Sequence, residues 1–395
     1  MFAPPRKMVS AVRRVGRLSA VVLVACLVAA PEVMGRAWYV EKDGSGDYTT
    51  IQPAVDSASS GDTIRIGVGR WTEYQSVVIY GTWSENVYVH VTVDSLTIIG
   101  SGQDQTIIGP TSPIHLPSEM PKGIMALDDI SQLHVRHLTI ENIRDGWYQS
   151  QGELAASHCT FRGCYCGLAS WASLGNLVED CEFHNCSDTG VVAFSPGQGF
   201  AICRCLFSGN GIALDFNTVD AAVESCTFRG GTVGVQYVFG ATGIVNSCVF
   251  QETIQNCSIV LRTNAAITLN NSRIQGGGYR LYADSGGSVA GSGNVFSGAN
   301  VATMLFAGGA ASLHGNHIFK AEARAVKVET YTAPQSVLDM TGNYWGTSIP
   351  DSIAAWIWDH NDDPSLPATV DFDPFSTTPL PAEKKSLGSV KNLYR

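Results

Sequence analysis

"HCTFRG", residues 158–163, returns as "DCEFHN" at 180–185, "RCLFSG" at 204–209, "SCTFRG" at 225–230 and "SCVFQE" at 247–252. Phe161, Phe183, Phe207, Phe228 and Phe250 are therefore 22, 24, 21 and 22 residues apart. The register runs on in both directions. "NSRIQG" places Ile274 after 24 more residues, "GNVFSG" places Phe296 after 22, "GNHIF" places Ile318 after 22, and "HLTIEN" places Ile140 21 residues before Phe161. A repeat of this length marks a solenoid of stacked units. Within each unit, Cys-x-Phe has the period of a strand, so both residues share a face. Stacking then builds a core column of phenylalanines beside Cys159, Cys181, Cys205, Cys226 and Cys248, which behave as small buried hydrophobes.

Two residues after the aromatic stands Gly163, Asn185, Gly209, Gly230, Gly276 or Gly298, residue types that accept the positive φ of a sharp bend. A second strand follows, reading "GLASWA", "GVVAFS", "GIALDF", "GVQYVF", "CSIVLRT" and "YRLYAD" in successive units. This grammar predicts an all-β fold, a single-stranded right-handed parallel β-helix with about 22 residues per coil. About twelve coils from Tyr88 to Trp345 would make a rod of roughly 55–60 Å.

A solenoid needs covered ends. "TTIQPAVDSASSGD" predicts a short N-terminal capping helix with Thr50 as N-cap and Ile51, Val55 and Ala58 on one side. Near the other end, Ser348 precedes Pro350 and a second short helix carrying Ile353, Trp356 and Ile357, which with Trp345 and Phe372 would close the rod. The expected organisation is a signal peptide over 1–37, the capped β-helix over 38–375, and a Pro-rich linker with a basic tail over 376–395.

The signal peptide is read from Arg6, Lys7, Arg13, Arg14 and Arg17 ahead of an uncharged run from Leu18 to Ala30, thirteen residues and too short to span a bilayer. Cleavage after Ala37 fits the small-residue rule. The competing reading makes "LVAC" a lipobox with a lipidated Cys26. Removing residues 1–37 leaves 19 Lys and Arg against 34 Asp and Glu, a net charge near −15. Such a surface repels nucleic acid and anionic membranes. The protein is thus expected outside the cytoplasm, secreted, periplasmic or at the cell surface, as a monomer without a transmembrane segment. Cys164 and Cys186 fall at equivalent positions of adjacent coils, which leaves a disulfide between them open.

"DGSGDYTTIQPAVDSASSGDTIRIGVGRWTE" and "SLTIIGSGQDQTIIGP" resemble the N-terminal cap and first coils of the pectin lyase-like β-helix superfamily, pectin methylesterases included. "GNYWGT" resembles a C-terminal motif of bacterial right-handed β-helix repeat proteins, the NosD-like group among them. Nearly the whole mature chain is covered, but these motifs specify a scaffold. The methylesterase segments resembling GYQDTL and DFIFG are not found, Gln103–Thr106 being the nearest fragment of the first. Of the polygalacturonase set, "RIQ", Arg273 to Gln275, and the paired Asp128-Asp129 have counterparts, but the full set is not found.

Aligning the coils nonetheless stacks outward residues into a grid. His137, His158, Asp180 and Arg204 precede the column cysteines; Thr139, Thr160 and Glu182 come next; Glu141, Arg162 and His184 follow. Neighbours in such a grid lie close enough for carboxylates to share a cation. The catalytic candidates are therefore Asp180, Glu182, Arg162, Arg204, His158 and His184, with Asp180 and Glu182 holding calcium and an arginine as base if the protein is a lyase. On the second strand, Trp171 and Phe194 should face outward on adjacent coils, with Trp147 or Tyr148 on the coil before, a row suited to sugar rings. Asp359, Asn361 and Asp363 alternate like a calcium loop, but Pro364 and Val370 stand where such a loop needs Gly and Glu. The expected role is a non-catalytic binding scaffold for polysaccharide or a cell-surface glycan, with no cofactor and with calcium as the metal its carboxylates could hold; the HVRH and HGNH histidines (His134, His137, His314, His317) read as surface or turn residues rather than copper ligands. A polysaccharide lyase or glycoside hydrolase is the alternative.

Overall fold

The structure, a computed structural model, describes residues 35–81, 83–113, 120–127, 130–172, 175–194, 199–251, 255–275, 277–329 and 336–379. The expected signal peptide up to residue 34, with its alternative lipobox, and the tail beyond residue 379 lie outside the described residues. Each coil runs through three short strands that pass into three different sheets, of 14, 11 and 13 strands among the described residues. The solenoid has about 12 turns of about 23 residues. Pairing between coils is parallel, and Gln75–Tyr80 adds to the third sheet antiparallel to Trp83–Val91.

The periodicity is confirmed residue by residue on the second sheet. Ile140 pairs with Phe161, then Phe183, Phe207, Phe228, Phe250, Ile274, Phe296 and Ile318 follow in register, all buried. The five phenylalanines from 161 to 250 stack with centroids 4.8, 4.9, 5.1 and 4.5 Å apart. Glycines on the third sheet make room for them. A Cβ at Gly167 would lie 2.8 Å from Phe183 Cδ1 and 2.5 Å from the Gly190 carbonyl oxygen.

Left-handed residues turn each coil. Gly163, Asn185, Gly209, Gly230 and Gly298 have φ of 52° to 71° between the second and third sheets, as expected; Gly276 lies outside the described residues. The residues before the column cysteines correct the sequence expectation. His137, His158, Asp180 and Arg204 are not strand positions but one-residue corners between the first and second sheets, with φ of 51° to 59°. So sharp a corner demands positive φ even of non-glycine residues.

The column cysteines point inward and their thiols lie against backbone carbonyls of the preceding coil, as Cys159 Sγ does 3.5 Å from Val135 O. From Cys248 onward the same position is taken by Ser272, Asn294, Asn316 and Asn343. Backbone N–H groups of Ser272, Asn294 and Asn316 donate to the amide oxygen one coil later, at 2.9, 2.9 and 2.8 Å. Asn343, the asparagine of "GNYWGT", ends this ladder, donating to the carbonyls of Leu313 and Met340. All ten described cysteines are free, Cys164 and Cys186 included.

Both ends are capped by short helices. Ile51–Ser57 buries Ile51, Ala54 and Val55, while Ala58 forms its C-cap. Thr50 makes no side-chain cap bond; Gln52 fastens the helix instead, donating to His90 O at 2.9 Å and accepting from His90 N at 2.8 Å. Pro350–Trp356 has Ile349 at its N-cap and buries Ile353, while Ile357, expected in the helix, follows it as the start of the strand Ile357–Trp358. Trp345 is fully buried with its ring 6.4 Å from Phe372. Arg36 is already tied into the fold, its N–H donating to Asp62 Oδ1 at 2.7 Å. Among the described residues no helix is long and apolar enough to cross a membrane.

Candidate functional site

The charged grid around the second sheet is closed on itself. Asp180 accepts bonds from Nε and Nη2 of Arg204, both at 2.8 Å, and Arg204 also reaches Glu179 at 2.8 Å. The guanidinium holds the Asp180 carboxyl below the usual carboxylate range. Glu182 lies 2.7 Å from His184 Nε2, a hydrogen bond that lowers its pKa. Arg162 donates to Glu141 Oε2 at 2.8 and 2.5 Å, while Arg70 takes Oε1 at 2.6 Å. The His158 and His137 rings lie with centroids 4.9 Å apart, tilted by 34°. Thr139, expected to face outward, is covered and donates to Gln103 O. Asp180 in its corner and Glu182 in the strand Glu182–His184 are thus each engaged with a different side chain.

The outer face of the third sheet is organised differently. Trp171 and Phe194 pair in register, their rings 4.1 Å apart at 19°, with 43% of Trp171 exposed. Trp147 requires a correction: it pairs with Ile124 and Leu168, points into the core with them and is fully buried. Alternation then turns Tyr148 outward. Tyr148 and Phe194 pack on a patch of Cys166, Ala169 and Val192. The register carries the Tyr148 position through Ala169, Val192, Asp215, Gln236 and Val260 to Tyr282. Tyr279 and Tyr282 lie against a second patch of Val233, Cys257 and Val260. Six coil spacings separate the two tyrosine ends, about 29 Å.

Asp215 stands between them. Its Oδ1 accepts Asn217 Nδ2 at 3.1 Å and Gln236 Nε2 at 3.2 Å, and burial pushes its carboxyl pKa up. Asn217 is the register partner of Phe194, so the two coils after the aromatic pair present one carboxyl flanked by the Asn217 amide beside it and the Gln236 amide one coil on. Each amide nitrogen has a second hydrogen to donate.

Toward the N-terminus the face opens into a cavity of about 340 Å³ lined by Ile79, Trp83, Met125 and Tyr148 together with Glu85, Lys122 and Arg144. Trp83 is 59% exposed. Arg144 bonds Glu85 through Nη2 and approaches Asp145 Oδ2 with Nε at 3.4 Å. Lys122 Nζ lies 2.5 Å from Asp145 and 4.1 Å above the Tyr148 ring. Sequence reading missed Trp83, Glu85, Lys122, Arg144, Asp145 and Asp215. Coil stacking gathers them from distant positions, and the Cys-x-Phe register does not extend to the coils that carry the first three.

Two other regions were candidates. Asp359 is buried, its Oδ1 accepting Asn361 N at 2.8 Å and Oδ2 accepting Val370 N at 2.7 Å, while Asp363 Oδ1 accepts Ser365 N at 2.9 Å. These carboxylates hold a turn, and among the described residues no three His, Cys, Asp or Glu side chains form a metal-binding group. The first sheet carries a shallow groove lined by small side chains such as Ala222, Thr242, Thr268 and Ala290 around Ile244.

Residues 122–253 match the family model described as right handed beta helix region. Probable pectinesterase/pectinesterase inhibitor 6 of Arabidopsis thaliana is 28% identical over 170 residues, 42% of this chain and 29% of that protein. The chain thus spans less than a third of that relative's length. Among solved structures, the catalytic domain of a GH87 α-1,3-glucanase in complex with tetrasaccharides is similar over 87% of this chain and 69% of its own, with a TM-score of 0.57 and 13% identity. Tailspike protein 3 of bacteriophage CBA120 is similar over 85% and 59%, with a TM-score of 0.51 and 14% identity. Register and the match over residues 122–253 together define a right-handed parallel β-helix.

Proposed function

We propose that this protein is a secreted, monomeric β-helix that binds a polysaccharide or cell-surface glycan along the outer face of its third sheet, without turning it over. The observation that carries this is the Trp171–Phe194 stack, a ring pair held in register with Trp171 left 43% exposed. Flat aromatic surface, with a carboxyl and amides beside it, is the chemistry that recognises sugar rings and their hydroxyls. The face is linear, as a polymer ligand requires. The α-1,3-glucanase domain of similar fold was solved with tetrasaccharides; in this chain the support comes from its own aromatic face.

The grid residues Asp180, Glu182, Arg162 and Arg204 favour a structural part, since each is already held by a partner side chain. Asp215 is the observation that favours a lyase or hydrolase, as a half-buried carboxyl on the binding face whose pKa burial raises. An activity and retention screen on immobilised polysaccharides decides between them. Retention without unsaturated ends or reducing sugar, weakened by Trp171→Ala, is expected; turnover abolished by Asp215→Asn would make the protein an enzyme.

A further inference from the structure

The binding face has a charge pattern that selects among glycans. From the strand Cys166–Trp171 through Thr189–Phe194 and Ile212–Asn217 to Val233–Val238, the third sheet bears neither lysine nor arginine. Of the cations that flank this stretch, Arg324 donates to Ala355 O at 2.8 Å and lies over the Trp358 ring, and Lys122, Arg144, Arg262 and Lys327 are paired with carboxylates. Lys122 is bound to Asp145, Arg144 to Glu85 and Asp145. At the far end Arg262 lies 3.3 Å from Asp284 and 5.3 Å from the Tyr282 ring, and Lys327 lies 2.7 Å from Glu329. Asp215, in the middle, has amide partners and no cation among the described residues.

From this arrangement we infer that the third-sheet face takes a neutral, hydroxyl-rich glycan and rejects uronate or sulfated polymers. The inference rests on the glycan-binding reading of that face. A polyanion laid between the two aromatic ends would place carboxylates or sulfates beside Asp215, while Lys122, Arg144, Arg262 and Lys327 already share their charge with carboxylates. Freeing Lys122 or Arg144 would strand Asp145 or Glu85 in a partly buried setting, where a lone charge is costly. Neutral hydroxyls meet no such obstacle. They accept from the Asn217 and Gln236 amides and donate to the Asp215 carboxyl, while ring faces stack on Trp171 and Tyr148.

The test is affinity electrophoresis of the full-length protein through gels containing dextran, laminarin, polygalacturonate or alginate, at low and moderate salt, with chelator present so that cations cannot bridge. The wild type should be retarded by at least one neutral glucan and by neither polyanion, and Trp171→Ala should weaken retention roughly tenfold or more. Retardation by polygalacturonate or alginate that Trp171→Ala removes would overturn the neutral preference while leaving the face as the binding site. Retention on a neutral glucan that is unchanged in Trp171→Ala would place binding elsewhere and overturn the inference. Retention on none of the four would remove it together with the glycan-binding reading.

Discussion

The indole of Trp171 lies 4.1 Å from the ring of Phe194 and nearly parallel to it, one coil apart on the outer face of the third sheet. Trp147, three strand positions and one coil away and so on the opposite face, is wholly inside. Trp147→Ala should therefore cost about 3–5 kcal/mol in chemical denaturation through lost burial and the cavity left behind. Trp171→Ala should cost within about 0.5–1 kcal/mol, as surface substitutions do, while impairing retention on glycan. Equal stability losses would mean the strand faces are misassigned.

Phe207 sits in the middle of the stacked column, between Phe183 and Phe228. Phe207→Ala should cost about 3–5 kcal/mol. Gly167→Ala tests the same packing from the other side, because its new methyl would press on Phe183 and on the Gly190 carbonyl; a loss of about 1–3 kcal/mol is expected. A variant as stable as the parent at either site would contradict the column.

Such a column was legible because its period is written in large aromatic residues, and the corners after it because Gly and Asn mark positive φ. The grid was misjudged for a physical reason. His158, Asp180, Arg204 and Ser225 share no glycine or other common residue type at the corner, so no repeated signal marked a left-handed turn and alternation was extended one residue too far. Trp147 and Tyr148 were left as alternatives because adjacent aromatics in one strand do not reveal which faces the core. The Glu85–Arg144–Asp145–Lys122 chain was invisible to a reading based on local motifs, since its members come from separate coils.

Thiol chemistry offers a further check. Nine of the ten described cysteines are buried and Cys203 is partly exposed. Burial pushes the thiols of Cys181, Cys205 and Cys226 well up, so the thiolate form is disfavoured. Native protein should show fast reaction with an aromatic disulfide reagent at Cys203 alone among these ten, and reaction at all of them in denaturant. Mass mapping that finds a Cys164–Cys186 disulfide, or rapid native labelling at the column cysteines, would contradict the packing.

Stability should depend on pH in two opposed ways. Burial lowers the pKa of His90, His137 and His317, and His158 lowers His137 further. Each binds its proton more readily when unfolded, so their combined effect removes stability as pH falls through about 6.5. Asp215 acts in the other direction. Its raised pKa means the folded state holds the proton longer, so its cost appears as pH rises above the ordinary Asp value of about 3.9. Asp215→Asn should therefore be more stable than the parent at neutral pH, with the gap closing in acid; denaturation midpoints at several pH values read both effects.

The most direct test of the third-sheet face is hydroxyl-radical footprinting with and without the neutral glucan that retards the protein, read residue by residue by mass spectrometry. Protection is expected at Tyr148, Trp171, Phe194 and Tyr282, with Ile244 on the first sheet and Val78 on the edge strand Gln75–Tyr80 unchanged. Protection centred on Ile244, with Trp171 still fully oxidised, would contradict the assignment and move the ligand to the groove of small side chains.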